Sequence, residues 1–237
     1  MTVRPSSEEA VRRAYEAIRE NVERAAALAG RPADEIQIMA VTKTVPPQLV
    51  NAAIDAGVRL LGENRAQELV AKQPHYRLKG CALHFIGSLQ TNKVRQVVDK
   101  VDMIQSVGSL RLANEINRQC RLRGQVMDIL LQVNIGEEAT KGGFLPRELL
   151  PAAEQISQLP GVRVRGLMAI PPYSDNITQT ERYFAGLRQM SVDMDNKKLD
   201  NVSVVHLSMG MSSDYTHAIK HGATIIRVGT ALFGQRI

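Results

Sequence analysis

The sequence predicts an α/β protein built as a single (β/α)8 barrel with an extra helix at its N-terminus. The chain has 237 residues, close to the roughly 250 typical of such a barrel. Eight short β-rich runs alternate with helix-length segments, and the runs show little polar alternation, as expected for parallel strands covered on both faces. One domain over residues 1–237 is therefore expected. An open doubly wound sheet is the alternative, disfavoured because no GxGxxG motif follows the first strand.

The predicted elements follow in order along the chain. A leading helix spans residues 6–28, where Ser6 and Ser7 can cap the N-terminus and Glu8 and Glu9 favour the first turn. The eight strands are predicted at residues 36–42, 58–62, 82–87, 101–107, 126–134, 162–170, 202–209 and 224–229. The segments between them carry apolar residues at helical spacing, and several end in glycine, as helix C-termini do.

Composition narrows the classes of function. The net charge of +6 is spread along the chain and aromatic residues make up only 4%, so a small phosphorylated ligand is a better partner than nucleic acid. No apolar run reaches the length of a membrane span, and the N-terminus does not resemble a signal peptide, which predicts a cytoplasmic location away from membranes. Cys81 and Cys120 lack CxxC spacing, so neither a disulfide framework nor a metal site is expected.

In a parallel barrel the functional site lies at the C-terminal ends of the strands. The residues that close or follow the predicted strands include Lys43, Glu63, Asn64, Gly87, Ser88, Asn134, Met168, Ser208 and Arg227. Lys43 follows an apolar run, so its amine should point into the barrel mouth, where desolvation lowers the pKa of a lysine and makes it nucleophilic toward an aldehyde. A lysine that merely extends its charge into solvent from a strand end is equally compatible with this position.

Two neighbouring junctions have the character of a phosphate site. Gly229 and Thr230 stand where the eighth strand meets a helix, and backbone N–H groups at such a junction favour an anion. The preceding junction offers the hydroxyls of Ser208, Ser212 and Ser213. Barrels commonly bind phosphate at the loops after strands seven and eight, so the pair is more informative than either junction alone. A plain capped turn is the alternative for each.

Arg227 limits the chemistry. Because a guanidinium only donates hydrogen bonds, an arginine facing a pyridine nitrogen would keep that nitrogen unprotonated and the ring a poor electron sink. This favours mild chemistry or none; an ion pair with phosphate or carboxylate is the alternative role. His84 and His206 lie in apolar runs and are expected to be hydrogen-bonded core residues without a catalytic role.

Several motifs together resemble one known family. They are AVTKT (40–44), GENRAQE (62–68), HFIGSLQTNK (84–93), RGLMAIPP (165–172), LSMGMSSD (207–214) and IIRVGTALFG (225–234). The sequence is similar over nearly its whole length to the pyridoxal phosphate homeostasis proteins, whose fold resembles the TIM barrel of the alanine racemase N-terminal domain. The resemblance implies the same type of barrel here.

The resemblance also implies a set of ligand contacts for pyridoxal 5'-phosphate (PLP). PLP is expected to be held as a Schiff base on Lys43, with its phosphate on Ser208, Gly229 and Thr230. Arg227 is expected to face the pyridine nitrogen. The remaining implied pocket residues are Asn64 beside the ring and Met168 and Met209 along the wall.

Two lysine positions concern any transfer of the ligand. Lys141, after the fifth strand, matches a lysine implicated in relatives and is a candidate secondary contact only. Some relatives place another lysine two residues after Lys43, where this chain has Val45. That difference weakens any transfer role that depends on the second lysine.

The implied function is a PLP-binding protein of intracellular vitamin B6 homeostasis and amino acid and keto acid balance, with PLP-dependent apoenzymes as recipients. It is expected to be monomeric and without established catalytic activity. A weak PLP enzyme such as an amino acid racemase is the alternative, disfavoured because the sequence ends at Ile237, directly after the last barrel motif, with no second domain to supply an opposing tyrosine. A phosphosugar-type barrel enzyme with Lys43 as its Schiff-base lysine is the third candidate.

Overall fold

The structure is a computed structural model that describes residues 7–234, and within them eight parallel strands close into one barrel in sequence order. The strands are β1 (Gln37–Val41), β2 (Leu60–Glu63), β3 (Ala82–Phe85), β4 (Met103–Val107), β5 (Met127–Val133), β6 (Val162–Ala169), β7 (Val202–Met211) and β8 (Ile225–Val228). β8 pairs with β1 from Gln37 opposite Ile225 to Ala40 opposite Val228. The predicted (β/α)8 barrel is confirmed.

Helices cover the outside of the barrel. They are α1 (Glu8–Leu28), α2 (Pro47–Asp55), α3 (Ala66–Lys72), α4 (Val94–Val97), α5 (Leu110–Arg121), α6 (Leu149–Ile156), α7 (Ile177–Asn196), α8 (Tyr215–Lys220) and α9 (Thr230–Phe233). The extra helix α1 is present as predicted. Its N-cap is Ser7, whose side chain accepts a hydrogen bond from the Ala10 N–H; Ser6 lies outside the described residues.

The helix α1 packs on the side of the barrel where β8 pairs with β1. Its buried side chains pack on α2, α8 and α9, the helices that flank the β1–β8 pair. Just beyond α1, Arg31 donates hydrogen bonds to the backbone oxygens of Ile219 and Ala223, at 2.8 and 2.9 Å. The N-terminal region therefore holds the last βα unit against the first.

Apolar side chains form two layers. The larger lies between the sheet and the helices, and smaller clusters made of residues on or beside the strands fill the barrel interior. The interior residues are Met39, Val41, Leu60, Ile86 and Ile225 in one cluster, and Met103, Leu130 and Met168 in another. Apolar side chains thus lie on both faces of the sheet, as expected of a parallel barrel.

No helix among residues 7–234 is both long and apolar enough to cross a bilayer. Cys81 and Cys120 are buried thiols, and burial raises the pKa of Cys81 to about 11. A thiol held in its neutral form is a poor nucleophile. The same described part of the chain contains no group of three or more His, Cys, Asp or Glu residues arranged to hold a metal.

Candidate functional site

Lys43 follows β1 at the C-terminal mouth of the barrel. It is the second residue of a turn closed by a hydrogen bond from the Val45 N–H to the Thr42 carbonyl, at 3.0 Å. Lys43 is half-buried and lines a cavity together with Gly229 and Thr230. The structure therefore brings the predicted nucleophile and the predicted phosphate turn into one place, although they come from opposite ends of the sequence.

The cavity beside Lys43 is small, about 30 Å³, enough for one or two water molecules. A much larger cavity, about 550 Å³, lies at the N-terminal end of the strands, where its lining includes Tyr15, Arg19 and Arg59. None of the predicted site residues lines it, so its size does not make it the better candidate.

The turn after β8 gathers backbone donors around one hydroxyl. The N–H groups of Gly229 and Ala231 both point at Ser212 Oγ, at 3.4 and 3.2 Å. These are long hydrogen bonds, which a better acceptor could replace. Ser212 and the Gly229–Ala231 amides are therefore the groups that the geometry offers to a phosphate.

Ser208 lies elsewhere, which departs from the prediction that it belongs to the phosphate turn. Its hydroxyl is fully buried inside the barrel, where it donates to Gln105 Oε1 and accepts from an Arg227 terminal nitrogen, both at 2.7 Å. A hydroxyl has one donor and this one is already used. Within the LSMGMSSD motif the geometry assigns the anion-facing position to Ser212 instead.

Arg227 is buried, 4% exposed, in the barrel interior. One terminal nitrogen donates to Ser208 and the other donates to the Ala169 carbonyl at 2.8 Å. Burial lowers the pKa of Arg227 to about 10, against an opposing effect of Asp214. The guanidinium therefore remains charged at neutral pH, and its plane is fixed by two acceptors on neighbouring strands.

A chain of hydrogen bonds continues from Arg227 across the barrel. Because Gln105 Oε1 accepts from Ser208, its amide nitrogen is the donor in the 2.9 Å contact with His84 Nδ1. Burial, with His206 adding to it, lowers the pKa of His84 to about 3, so the ring is neutral. Donation therefore runs in one direction from Arg227 through Ser208 and Gln105 to His84. The prediction of His84 as a hydrogen-bonded core residue is confirmed.

Gln105 was not among the residues predicted from the sequence. It is fully buried on β4, and it orients both Ser208 and His84. The available signal was a single amide in a strand expected to be buried, because a buried amide almost always has hydrogen-bond partners. What the sequence could not show is which residues those partners are.

Asn64 follows β2 at the mouth and is set in place by a glycine. A Cβ atom at Gly87 would lie 1.9 Å from the Asn64 backbone oxygen, so only glycine allows the loops after β2 and β3 to approach this closely. Among the described residues, Asn64 Oδ1 is buried and has no hydrogen-bond partner. An unsatisfied acceptor at the mouth is what a ligand would be expected to complete.

The two predicted wall methionines point in opposite directions. Met168 lies inside the barrel with Met103 and Leu130, as a pocket wall requires. Met209 is fully buried in the layer between sheet and helices, because neighbouring strand residues alternate and Ser208 faces inward. The Met209 side chain thus faces the helix layer, whereas the resemblance implied a place along the pocket wall.

Lys141 is held by its own loop. Its amine pairs with Glu138 at 2.5 Å and lies 3.4 Å from the Pro171 carbonyl, in the loop after β6. Asn134 fixes this loop by donating to the Glu138 and Lys141 carbonyls at 2.8 and 3.2 Å. Val45, the position of a second lysine in some relatives, is a buried core residue here.

Comparison with known proteins shows the family to which the chain belongs. The family described as the alanine racemase N-terminal domain matches residues 14–237. A pyridoxal phosphate homeostasis protein of Aquifex aeolicus is 41% identical over 217 residues, 92% of this chain and 94% of that protein. Its namesake in Escherichia coli K12 is 40% identical over 223 residues, again 92% and 94%. The solved structure of Synechococcus elongatus PipY with PLP bound has a TM-score of 0.79 and 37% identity, covering 90% of this chain and all of that one.

Proposed function

Because the chain belongs to the alanine racemase N-terminal domain family and, within it, to the pyridoxal phosphate homeostasis proteins, we propose that it binds PLP through Lys43 and serves intracellular PLP homeostasis. One observation carries the proposal. An amine, a turn of anion-facing donors and a buried guanidinium converge at the same end of the barrel, on Lys43, the Gly229–Thr230 turn with Ser212, and Arg227. A single domain over residues 1–237 accounts for all of them.

Each group has a distinct task in the proposal. When bound, PLP supplies an aldehyde carbon, a phosphate and a ring nitrogen. The Lys43 amine would hold PLP as a Schiff base through that aldehyde carbon. The Gly229 and Ala231 amides and the Ser212 hydroxyl hold the phosphate. The unsatisfied Asn64 oxygen and the Met168 wall lie beside the ring.

Arg227 supports a holding role over a catalytic one. A guanidinium can donate a hydrogen bond to the ring nitrogen of PLP but does not give up its proton, so that nitrogen would stay unprotonated. An unprotonated ring is a poor electron sink and would stabilise a substrate carbanion only weakly. The chain therefore stores and delivers a reactive aldehyde. Its proposed recipients are PLP-dependent apoenzymes of the cytoplasm, through which it affects amino acid and keto acid balance. It acts as a monomer.

The binding site is tested by adding PLP to the wild type and to Lys43→Ala and following the visible absorption band of the Schiff base. Borohydride reduction and peptide mapping then locate the label. We expect a band in the wild type, its loss in Lys43→Ala, and label on Lys43. Lys79→Ala, a change at an exposed lysine, serves as the matched control. A band that persists in Lys43→Ala, or label spread over surface lysines, would contradict the proposal.

Delivery and catalysis need separate measurements. Loaded protein is mixed with a PLP-dependent apoenzyme, with and without a phosphatase that destroys PLP in solution. Direct transfer predicts activation in both conditions, whereas release into solution predicts activation only without the phosphatase. Loss of optical rotation of L-alanine by loaded wild type, above the level seen with Lys43→Ala, would instead establish a racemase.

A further inference from the structure

Three charged side chains lie behind the Lys43 turn, on the helix side of the sheet. Glu63 is the last residue of β2, and Glu68 and Lys72 stand on α3. The Lys72 amine is 2.8 Å from Glu63 Oε1 and 3.1 Å from Glu68 Oε2. Glu63 is fully buried, and the side chains of Lys72 and Glu68 are 13% and 22% exposed. We call Glu63, Glu68 and Lys72 the charged clamp.

The clamp holds the residue before Lys43. The Thr42 hydroxyl donates to Glu63 Oε1 at 2.7 Å, and the Thr42 carbonyl accepts from the Lys72 amine at 2.9 Å. Tyr76 donates a further hydrogen bond to Glu63 Oε1 at 2.7 Å. The Lys72 ammonium donates to the Thr42 carbonyl and to Glu68 Oε2, and it forms an ion pair with Glu63. This second lysine near the mouth is therefore occupied in holding backbone.

The clamp also holds the residue after Lys43. The Thr44 N–H donates to Glu68 Oε2 at 2.8 Å. Thr44 has φ of 62°, a left-handed conformation that a β-branched residue rarely adopts unless its surroundings impose it. Burial opposes ionisation of Glu68, but the Thr44 N–H and Lys72 together lower its pKa. An ionised carboxylate thus fixes the unusual backbone.

We propose that the charged clamp is a positioning device for Lys43: it fixes Thr42 and Thr44 on either side and so directs the amine between them toward the barrel mouth. This proposal rests on the proposed function, because only PLP binding gives the Lys43 amine an aldehyde with which to react. The clamp residues contact the residues on either side of Lys43. They lie on the helix side of the sheet, outside the barrel interior. They are positioning residues, and their effect is on where the amine stands.

The amide hydrogen exchange rate of Thr44, measured in protein prepared without PLP, tests the clamp itself. In Glu68→Ala we expect the Thr44 amide to exchange at least about tenfold faster, because it loses a charged acceptor. Glu68→Gln, which keeps an acceptor oxygen, should restore most of the protection. Lys72→Met removes the charged end of the other α3 residue of the clamp, and Lys79→Met, at an exposed lysine, is its matched control. Unchanged exchange at Thr44 in folded Glu68→Ala would overturn the proposal.

Reactivity of Lys43 is the second readout. Reductive methylation with formaldehyde, resolved by peptide mapping, reports how the Lys43 amine meets a small aldehyde without a phosphate or ring. We expect Glu68→Ala and Lys72→Met to lower PLP trapping on Lys43 about tenfold while its methylation by formaldehyde changes less than twofold. Equal loss of both would mean a general change in the amine and not its direction, contradicting the clamp. If wild type fails to trap PLP on Lys43, the proposed function fails, while exchange at Thr44 still decides on the clamp.

Discussion

Alanine substitutions at Ser208 and Ser212 separate two roles that the sequence assigned to one motif. In the structure the Ser208 hydroxyl links Gln105 to Arg227 inside the barrel, whereas Ser212 stands at the turn after β8. Ser208→Ala is therefore expected to damage stability, and Ser212→Ala is expected to damage phosphate binding. Ser213→Ala, at an exposed neighbouring serine, is the control for both.

The magnitudes follow from the hydrogen bonds. Ser208→Ala leaves a Gln105 acceptor and an Arg227 donor buried without partners, at about 1–3 kcal/mol each, so we expect about 2–6 kcal/mol of lost unfolding free energy. Ser212 is half-buried and accepts two long hydrogen bonds, so its removal should cost less than about 1 kcal/mol of stability. A lost hydrogen bond to a phosphate should weaken PLP binding about 10- to 100-fold.

Urea unfolding and parallel titrations with PLP and pyridoxal make the comparison. Pyridoxal has the same aldehyde and ring but no phosphate, so Ser212→Ala should weaken the binding of PLP and leave that of pyridoxal unchanged. Selective loss of PLP over pyridoxal in Ser208→Ala, with its stability within about 1 kcal/mol of wild type, would refute the assignment. The phosphate contact would then return to the serine that the sequence favoured.

Three further predictions concern the barrel interior and mouth. Arg227→Met should cost no more than about 3 kcal/mol of stability in urea unfolding, because the hydrogen bonds lost are offset by no longer burying a charge, and that burial lowers the pKa of Arg227 to about 10. PLP affinity should fall at least about tenfold, and a more severe loss of stability would contradict this balance. Because His84 stays neutral down to a pKa of about 3 against 6.5 when unfolded, it contributes fully above pH 6.5 and stability falls as pH drops toward 3. His84→Gln should remove up to about 1.4 kcal/mol per pH unit of that slope in urea unfolding between those pH values, and an unchanged slope would argue against a neutral ring. Gly87→Ala, whose Cβ would meet the Asn64 backbone oxygen at 1.9 Å, should cost about 3 kcal/mol or more in thermal unfolding, whereas Gly142→Ala, with nothing within 4 Å of its Cβ, should cost about 1 kcal/mol or less; equal losses would contradict the steric argument.

The strands could be predicted from sequence because apolar runs and intervening helical spacing are local signals. The boundaries could not always be placed. The second strand was predicted at 58–62 and is Leu60–Glu63, because Val58 is buried in the loop after α2, where its N–H bonds to the Ala53 carbonyl. In the sequence, an apolar loop residue that packs against the end of a helix cannot be told from the first residue of a strand.

The direction of side chains could not be predicted in the same way. In a closed barrel both faces of a strand are buried, so no polar alternation tells the interior from the helix side. Glu63 was placed at the mouth from its strand end and Met209 in the pocket by the family resemblance, and both side chains face the helix layer. The long-range hydrogen bonds escape sequence analysis for a related reason: Gln105 and Ser208 are 103 positions apart, and nothing local marks them as a pair.

The pairing of β1 with β8 has a consequence for how the site comes into being. Lys43 follows the first of these strands and the Gly229–Thr230 turn follows the second, so the two halves of the site meet only when the ring of strands has closed. Any ligand that needs both halves binds closed molecules alone and stabilises them by mass action. Loading with PLP and completion of the ring are then thermodynamically linked, and loss of PLP should make opening along this seam easier.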